Sequence, residues 1–163
     1  MDKPVLNVFR MFGMMKGRRV EAFSDRGFSF THVIDSGVNN ARPDIGAFAA
    51  RDNKEATVMI WNYYDDDLPA TSEIIKLEIK SIPASKVKVS EYRIDNGLSN
   101  SYEVWKNMGS PQNPDPEQIR KLEEAGKLHF RVKPGKMKVS KDRLSIPVKL
   151  PRQAVSLFKI EWK

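Results

Sequence analysis

Two stretches of this chain hold strict period two. Leu144, Ile146, Val148 and Leu150 alternate with Ser145, Pro147 and Lys149, and Ile75, Leu77 and Ile79 alternate with Lys76 and Glu78. Successive side chains of a strand point to opposite faces, so each stretch reads as a strand with one face in a core and one in water. Pro147 falls on the outward face and has no N–H for a ladder, which places its strand at an edge or a bulge. The run Glu55–Asn62 differs: Val58, Met59, Ile60 and Trp61 fill both faces, as a central strand requires. Val87 and Val89 share one parity and Tyr92 and Ile94 take the other, which predicts a bulge near Ser90–Glu91. The last segment also shifts, from Val155 and Leu157 to Phe158, Ile160 and Trp162. Phe30–Ile34 and Ile45–Arg51 complete the strand candidates, the second ending at the turn Asp52-Asn53. Strands separated by turns, with few helices, predict a mainly β fold, an antiparallel β-sandwich rather than a series of βαβ units.

A chain of 163 residues suits one domain, and at that size no staple is needed. It has no cysteine, which removes disulfides, thiolate zinc sites and cysteine nucleophiles. His32 and His129 are too few for a histidine-rich metal site, and no cofactor motif is present. The net charge of +7 comes with 21 interspersed acidic residues, the balance of a solvated surface rather than of a nucleic-acid or membrane partner. Lys133, Lys136, Lys138 and Lys141 lack interleaved aromatics and read as a hairpin and a solvated strand face. No run approaches about 18 apolar residues. The N-terminus does not fit a signal peptide, because Arg10 interrupts its apolar run and no small-residue cleavage site follows. Localisation therefore stays open.

Two helices are expected. Pro4 suits a first turn, and Val5, Leu6, Val8, Phe9, Met11, Phe12, Met14 and Met15 wrap most of the circumference that follows. Only Asn7 and Arg10 mark a polar stripe, and a helix apolar on most sides expects cover on most sides. Phe9, Met11, Phe12 and Met15 are thus interface candidates, for a homo-oligomer or for a partner body. The second helix lies in the stretch Tyr92–Leu128, which is far longer than a hairpin connection. Asp115 is its N-cap, Pro116 its first residue and Gln118 completes a capping box; Ile119 and Leu122 supply an apolar face and Gly126 ends it.

Chemistry is sparse. The run Asp65-Asp66-Asp67 lacks the spacing of a calcium loop, so a structural role outweighs a cation site. No Gly-x-Ser-x-Gly elbow and no glycine-rich phosphate loop occur, and no residue is assigned as catalytic. Tyr102, Trp105, Trp61, Tyr63 and Tyr64 are of the type that stacks on sugar rings. Trp61, in an apolar strand, reads as core; for Trp105 packing and ligand contact weigh about equally.

The order Tyr92-Arg93-Ile94-Asp95-Asn96-Gly97-Leu98, then Trp105, Met108-Gly109, Pro111, Pro114 and Gln118, resembles glycoside hydrolase family 39, the β-xylosidases and α-L-iduronidases. Pro4–Phe12 resembles the last barrel helix of those enzymes. Asp44–Ala50, Val58–Tyr63, Pro147–Pro151 and Ser156–Ile160 resemble strands of the domain that follows. The family places a (β/α)8 barrel first and a β-sandwich after it, with both catalytic glutamates of a retaining glycosidase on the barrel. The resemblance implies that residues 1–17 correspond to the last barrel helix and 18–163 to the accessory sandwich, with neither catalytic position represented. Met1 directly before that helix is the start expected of a C-terminal fragment or a truncated gene product. The insertion 96–126 would border the cleft, with Tyr102 and Trp105 at its rim, and the partner would be the catalytic barrel of an enzyme acting on β-xylosidic or related bonds. The alternative is an independent carbohydrate-binding or protein-interaction module, with a glycan as ligand.

Overall fold

The computed structural model describes residues 2–38, 42–66 and 71–163. Met1 and Asp67 lie outside them. Eight strands and four helices are found among the described residues. The strands are β1 (Arg18–Val20), β2 (Asp44–Arg51), β3 (Glu55–Tyr63), β4 (Glu73–Ile79), β5 (Lys86–Ile94), β6 (His129–Lys138), β7 (Leu144–Leu150) and β8 (Val155–Glu161). The helices are α1 (Pro4–Met14), α2 (Phe30–Ser36), α3 (Ser101–Asn107) and α4 (Pro116–Gly126). One sheet has the order β1-β2-β3-β8-β5-β6 and the other pairs β4 with β7; every pairing is antiparallel.

The strand patterns explain this arrangement. The inward residues of β4 and β7, among them Leu77, Leu144, Ile146, Val148 and Leu150, pack on Val58, Ile60, Val89, Phe158 and Ile160 of the larger sheet. The result is a sandwich with one broad and one narrow layer. β3 is apolar on both faces because Val58 and Ile60 face the sandwich core while Met59 lies beneath Met11 of α1. Pro147 faces Lys76 in a two-strand ladder, where its missing N–H costs nothing on the free side. The register of β5 against β6 shifts on both sides of Glu91, but the extra residues lie on β6. Against β8 the register of β5 is unbroken from Lys88 to Ile94, so its parity change is a change of covered face, with Val87 and Val89 toward the sandwich core and Tyr92 and Ile94 beneath α1. Glu91 and Arg93 are buried there as a pair at 2.5 Å. Arg93 also donates to Ser156 Oγ at 2.9 Å and Lys149 O at 3.0 Å, so the buried charge is compensated.

Two local expectations change. Phe30–Ile34 is helical, not extended: the Ser29 hydroxyl accepts the His32 N–H and caps α2, overriding the weak strand preference of Thr31, Val33 and Ile34. α3 was not expected at all. Its N-cap Asn100 accepts from the N–H groups of Tyr102 and Glu103, and the Asn100…Glu103 spacing is a legible start signal. The excursion from β5 to β6 thus carries two short helices between strands that are neighbours in the sheet.

The orientation of α1 is the larger surprise. Asn7 of its polar stripe points inward, while Arg10 stays exposed. Asn7 and Met11 are both 0% exposed. Met11 packs with Met59, Ile94 and Leu157 on the outer face of the large sheet, flanked by Val8, Met14 and Met15. Asn7 Nδ2 donates to Ser99 O at 3.1 Å and to Gly126 O at 2.8 Å, and Arg10 donates to Asn7 Oδ1 at 2.8 Å. The turn at Ser99 and the end of α4 each leave a carbonyl that needs a donor away from water, and a buried amide supplies both. Ser101 Oγ donates to Asp2 O at 2.6 Å. Gly126 is required by contact rather than by helix termination: it is the last residue of α4, the cap falls on Lys127 in extended conformation, and a Cβ on Gly126 would lie 2.8 Å from Asp2 O.

Replacing Asn7 by Ala strands two buried carbonyls, and the expected loss of unfolding free energy is roughly 2–4 kcal/mol, near that of Met11→Ala at roughly 2–5 kcal/mol. Urea titration measures both. An Asn7→Ala midpoint equal to that of the parent chain contradicts the assignment.

Candidate docking face and insertion rim

Because Asn7 and Met11 are drawn inward, the opposite side of α1 is apolar and bare. Phe9 is 68% exposed and Phe12 47% exposed, with Val5 and Leu6 beside them. Phe12 meets Phe48 of β2 edge to face, ring centres 6.0 Å apart, and the Arg19 guanidinium lies 5.1 Å over Phe48. Of the four interface candidates, Phe9 and Phe12 are on this outer side and Met15 is half-buried. Met11 is removed from any surface by its packing on the sheet. A second exposed apolar group comes from Phe23 and from α2, where Phe30 and Ile34 stand in water and no residue is buried.

The aromatic candidates separate by their partners. Trp61 lies flat on β2, where a Cβ on Gly46 would fall 2.0 Å from its ring, and its Nε1 donates to Asp44 Oδ2 at 2.8 Å. It is half-buried on the outer face rather than in the core. Tyr63 hydrogen-bonds Asp65, which together with burial and the nearby charge pushes its hydroxyl above the ordinary tyrosine range. Tyr64 is capped by Arg152 at 3.7 Å. Asp65 accepts the Val38 N–H and Asp66 pairs with Arg152, so both described acids of that run hold chain to chain. Trp61 and Tyr63 of β3, and Tyr64 just after it, are therefore committed to structure.

Tyr102 is not, and Trp105 is only in part. They sit on one face of α3, their rings stacked at 5.8 Å with 27° between planes. Trp105 is half-buried and its Nε1 donates to Pro111 O at 3.0 Å. That bond closes the turn Asn107-Met108-Gly109-Ser110-Pro111, in which Gly109 takes φ +84, a conformation that disfavours a side chain. Tyr102 is 52% exposed, with Lys106 Nζ 5.0 Å from its ring. The pair presents one flat aromatic surface on a fixed turn. Between this insertion and β6 lies an open depression of about 370 Å³, lined by Leu98, Val104, Ala125, His129, Phe130 and Lys133 among others. Phe130 stacks on Tyr92 at 4.2 Å.

Comparison with known proteins bears on these features. The family model for glycosyl hydrolases family 39 matches residues 1–138. A β-xylosidase of Caldicellulosiruptor saccharolyticus is 29% identical over 127 residues, 77% of this chain and 23% of that protein. An α-L-iduronidase of Mus musculus is 28% identical over 130 residues, 74% of this chain and 19% of that one. In structure, a monomeric β-xylosidase from Caulobacter crescentus CB15 superposes with a TM-score of 0.76 at 19% identity, over 98% of this chain and 30% of that one. A family 39 enzyme from Xanthomonas axonopodis pv. citri gives 0.75 at 18% identity with the same coverage. The chain thus spans less than a third of each.

Trp105→Ala removes a hydrogen bond and a half-buried ring, and should cost roughly 1–3 kcal/mol, whereas Tyr102→Ala should stay within about 0.5 kcal/mol of the parent. Thermal unfolding of both variants ranks them. The opposite order would show that Tyr102, not Trp105, holds the turn.

Proposed function

Since the chain belongs to glycosyl hydrolase family 39, we propose that it serves as the accessory β-sandwich region of a xylosidase-like glycosidase whose catalytic barrel lies outside it. In this reading residues 1–17 carry the last helix of that barrel, 18–163 form the sandwich and 96–126 reach the rim of the substrate cleft. One observation carries it: α1 is fixed from one side by Asn7 and Met11 and bare on the other at Phe9 and Phe12. A helix so placed joins two bodies, and an exposed apolar face of this kind usually has a partner. The barrel is that partner.

The division of labour follows from chemistry. Retaining hydrolysis of a glycosidic bond uses two carboxyl groups about 5–5.5 Å apart across the sugar. Those belong to the barrel; Glu91, the most buried glutamate of the sandwich, is instead tied to Arg93 and Ser156. The contribution of this region is positional. α1 holds the insertion by Asn7, and the insertion holds Tyr102 and Trp105 on a closed turn. At a cleft rim that surface would stack on a sugar ring and steer the substrate without touching the scissile bond.

Three outcomes are expected of the purified chain. It shows no turnover of aryl β-xylosides; activity that co-purifies with the chain sinks the reading. It self-associates through α1, so that light scattering rises with concentration, and Phe9→Glu with Phe12→Glu returns it to a monomer; a parent chain that stays monomeric at high concentration contradicts the docking role. Neutral xylo-oligosaccharides do not titrate it, because the rim is one wall of a cleft. The stacked pair on α3 supports a second reading, an independent glycan-binding module. That reading gains if xylo-oligosaccharides bind and Trp105→Ala abolishes the binding.

A further inference from the structure

The outer face of β5 and β6, beyond the area that α1 covers, carries an unbalanced charge. Cross-strand register sets Lys86 opposite Lys138 and Lys88 opposite Lys136. Directly opposed residues share a face, so the four side chains stand together, with Cα atoms roughly 5 Å apart across the ladder and roughly 7 Å apart along it. All four are exposed. Lys88 reaches Glu161 at 3.8 Å, while Lys86, Lys136 and Lys138 make no ion pair among the described residues. Like charges facing each other across a sheet are destabilising, and here two such pairs follow in succession.

Lysines on an edge strand guard against unwanted strand pairing, which accounts for Lys136 and Lys138 on β6. It does not account for Lys86, because β5 lies inside the sheet, between β8 and β6; Lys88 has Glu161 of β8 directly opposite. A cost retained on an inner strand points to a ligand that repays it. Further along the same face, Phe130 lies 39% exposed and is backed by Tyr92. The strip therefore offers cations at one end and an aromatic ring at the other. Its single exposed ring is not the succession of stacking platforms that a single-stranded nucleic acid uses.

We propose that this strip binds a carboxylated polysaccharide, with Lys86, Lys88, Lys136 and Lys138 on the carboxylates and the Phe130 ring against a sugar face. The four lysines lie at the end of β5 and β6 away from the insertion, while Phe130 also lines the depression beside α3; the proposal requires no catalysis and no barrel.

The test is affinity electrophoresis of the whole chain through gels holding polygalacturonate, neutral xylan or single-stranded RNA, at low and at physiological salt. Polygalacturonate should retard the chain, less so as salt rises, and neutral xylan should not. The variant Lys86→Gln/Lys88→Gln/Lys136→Gln/Lys138→Gln should raise the apparent Kd by roughly tenfold or more and melt no lower than the parent, since it removes repulsion. The variant Lys76→Gln/Lys80→Gln/Lys149→Gln/Lys163→Gln changes net charge equally elsewhere and should bind as the parent does. Equal losses in the two variants would reduce the effect to net charge and overturn the proposal. So would no retardation by polygalacturonate, or tighter retention by RNA through the same four lysines. Phe130→Ala should weaken polygalacturonate binding severalfold without altering the salt dependence; an unchanged Kd removes the ring from the site.

Discussion

One amide side chain organises the upper part of this molecule. Asn7 donates to carbonyls 92 and 119 residues away along the chain, Ser99 O and Gly126 O, and accepts from Arg10. Each of those carbonyls ends a structural unit, one the turn before α3 and the other helix α4. Without a donor, both would be buried and unsatisfied, at a cost comparable to a lost core contact. The bond pair fixes α1 in rotation as well as in position. It turns Met11 into the sheet and leaves Phe9 and Phe12 outside, so the bare apolar face is a consequence of where one amide must point.

The same interaction ties the insertion to the sheet. α3 and α4 connect neighbouring strands, pack on each other with Leu122 buried, and are tied to β6 where Ser99 Oγ accepts the His129 N–H. α4 has a complete capping box at Asp115 and Gln118, and α3 is capped by Asn100. Caps stabilise helices but do not orient them. Orientation comes from Asn7, from Ser101 bonding Asp2 O, and from the contact of Asp2 on Gly126. A rigid aromatic pair at Tyr102 and Trp105 depends on that chain of contacts, which links a proposed barrel helix to a proposed cleft rim through a few side chains.

The sandwich was legible because its information is periodic. The alternations in β4 and β7, the doubly apolar β3 and the edge proline each follow from where adjacent side chains must point; the parity change in β5 marks instead where the cover passes from the sandwich core to α1. The capping box of α4 was legible for a similar, local reason. What escaped the sequence depends on distant partners. Asn7 reads as the wet side of an amphipathic helix until Ser99 and Gly126 are seen to need it. Trp61 reads as core until Gly46 is seen to leave room for its ring on the outside. α2 and α3 are short, and their start signals, Ser29 and Asn100, compete with strand-like or irregular neighbours. The resemblance carried by Tyr92–Gln118 pointed to the family, while the placement of its aromatics needed coordinates.

Hydrogen exchange of the purified chain tests most directly whether α1 is built into the sandwich rather than appended to it. If Asn7 and Met11 hold it as described, amides in the body of α1 and of α4 exchange with protection approaching that of β3 and β8, and they open together. Fast, unprotected exchange through α1 while β3 and β8 stay closed would contradict the account, because a helix that frays alone cannot position the insertion or present a fixed docking face.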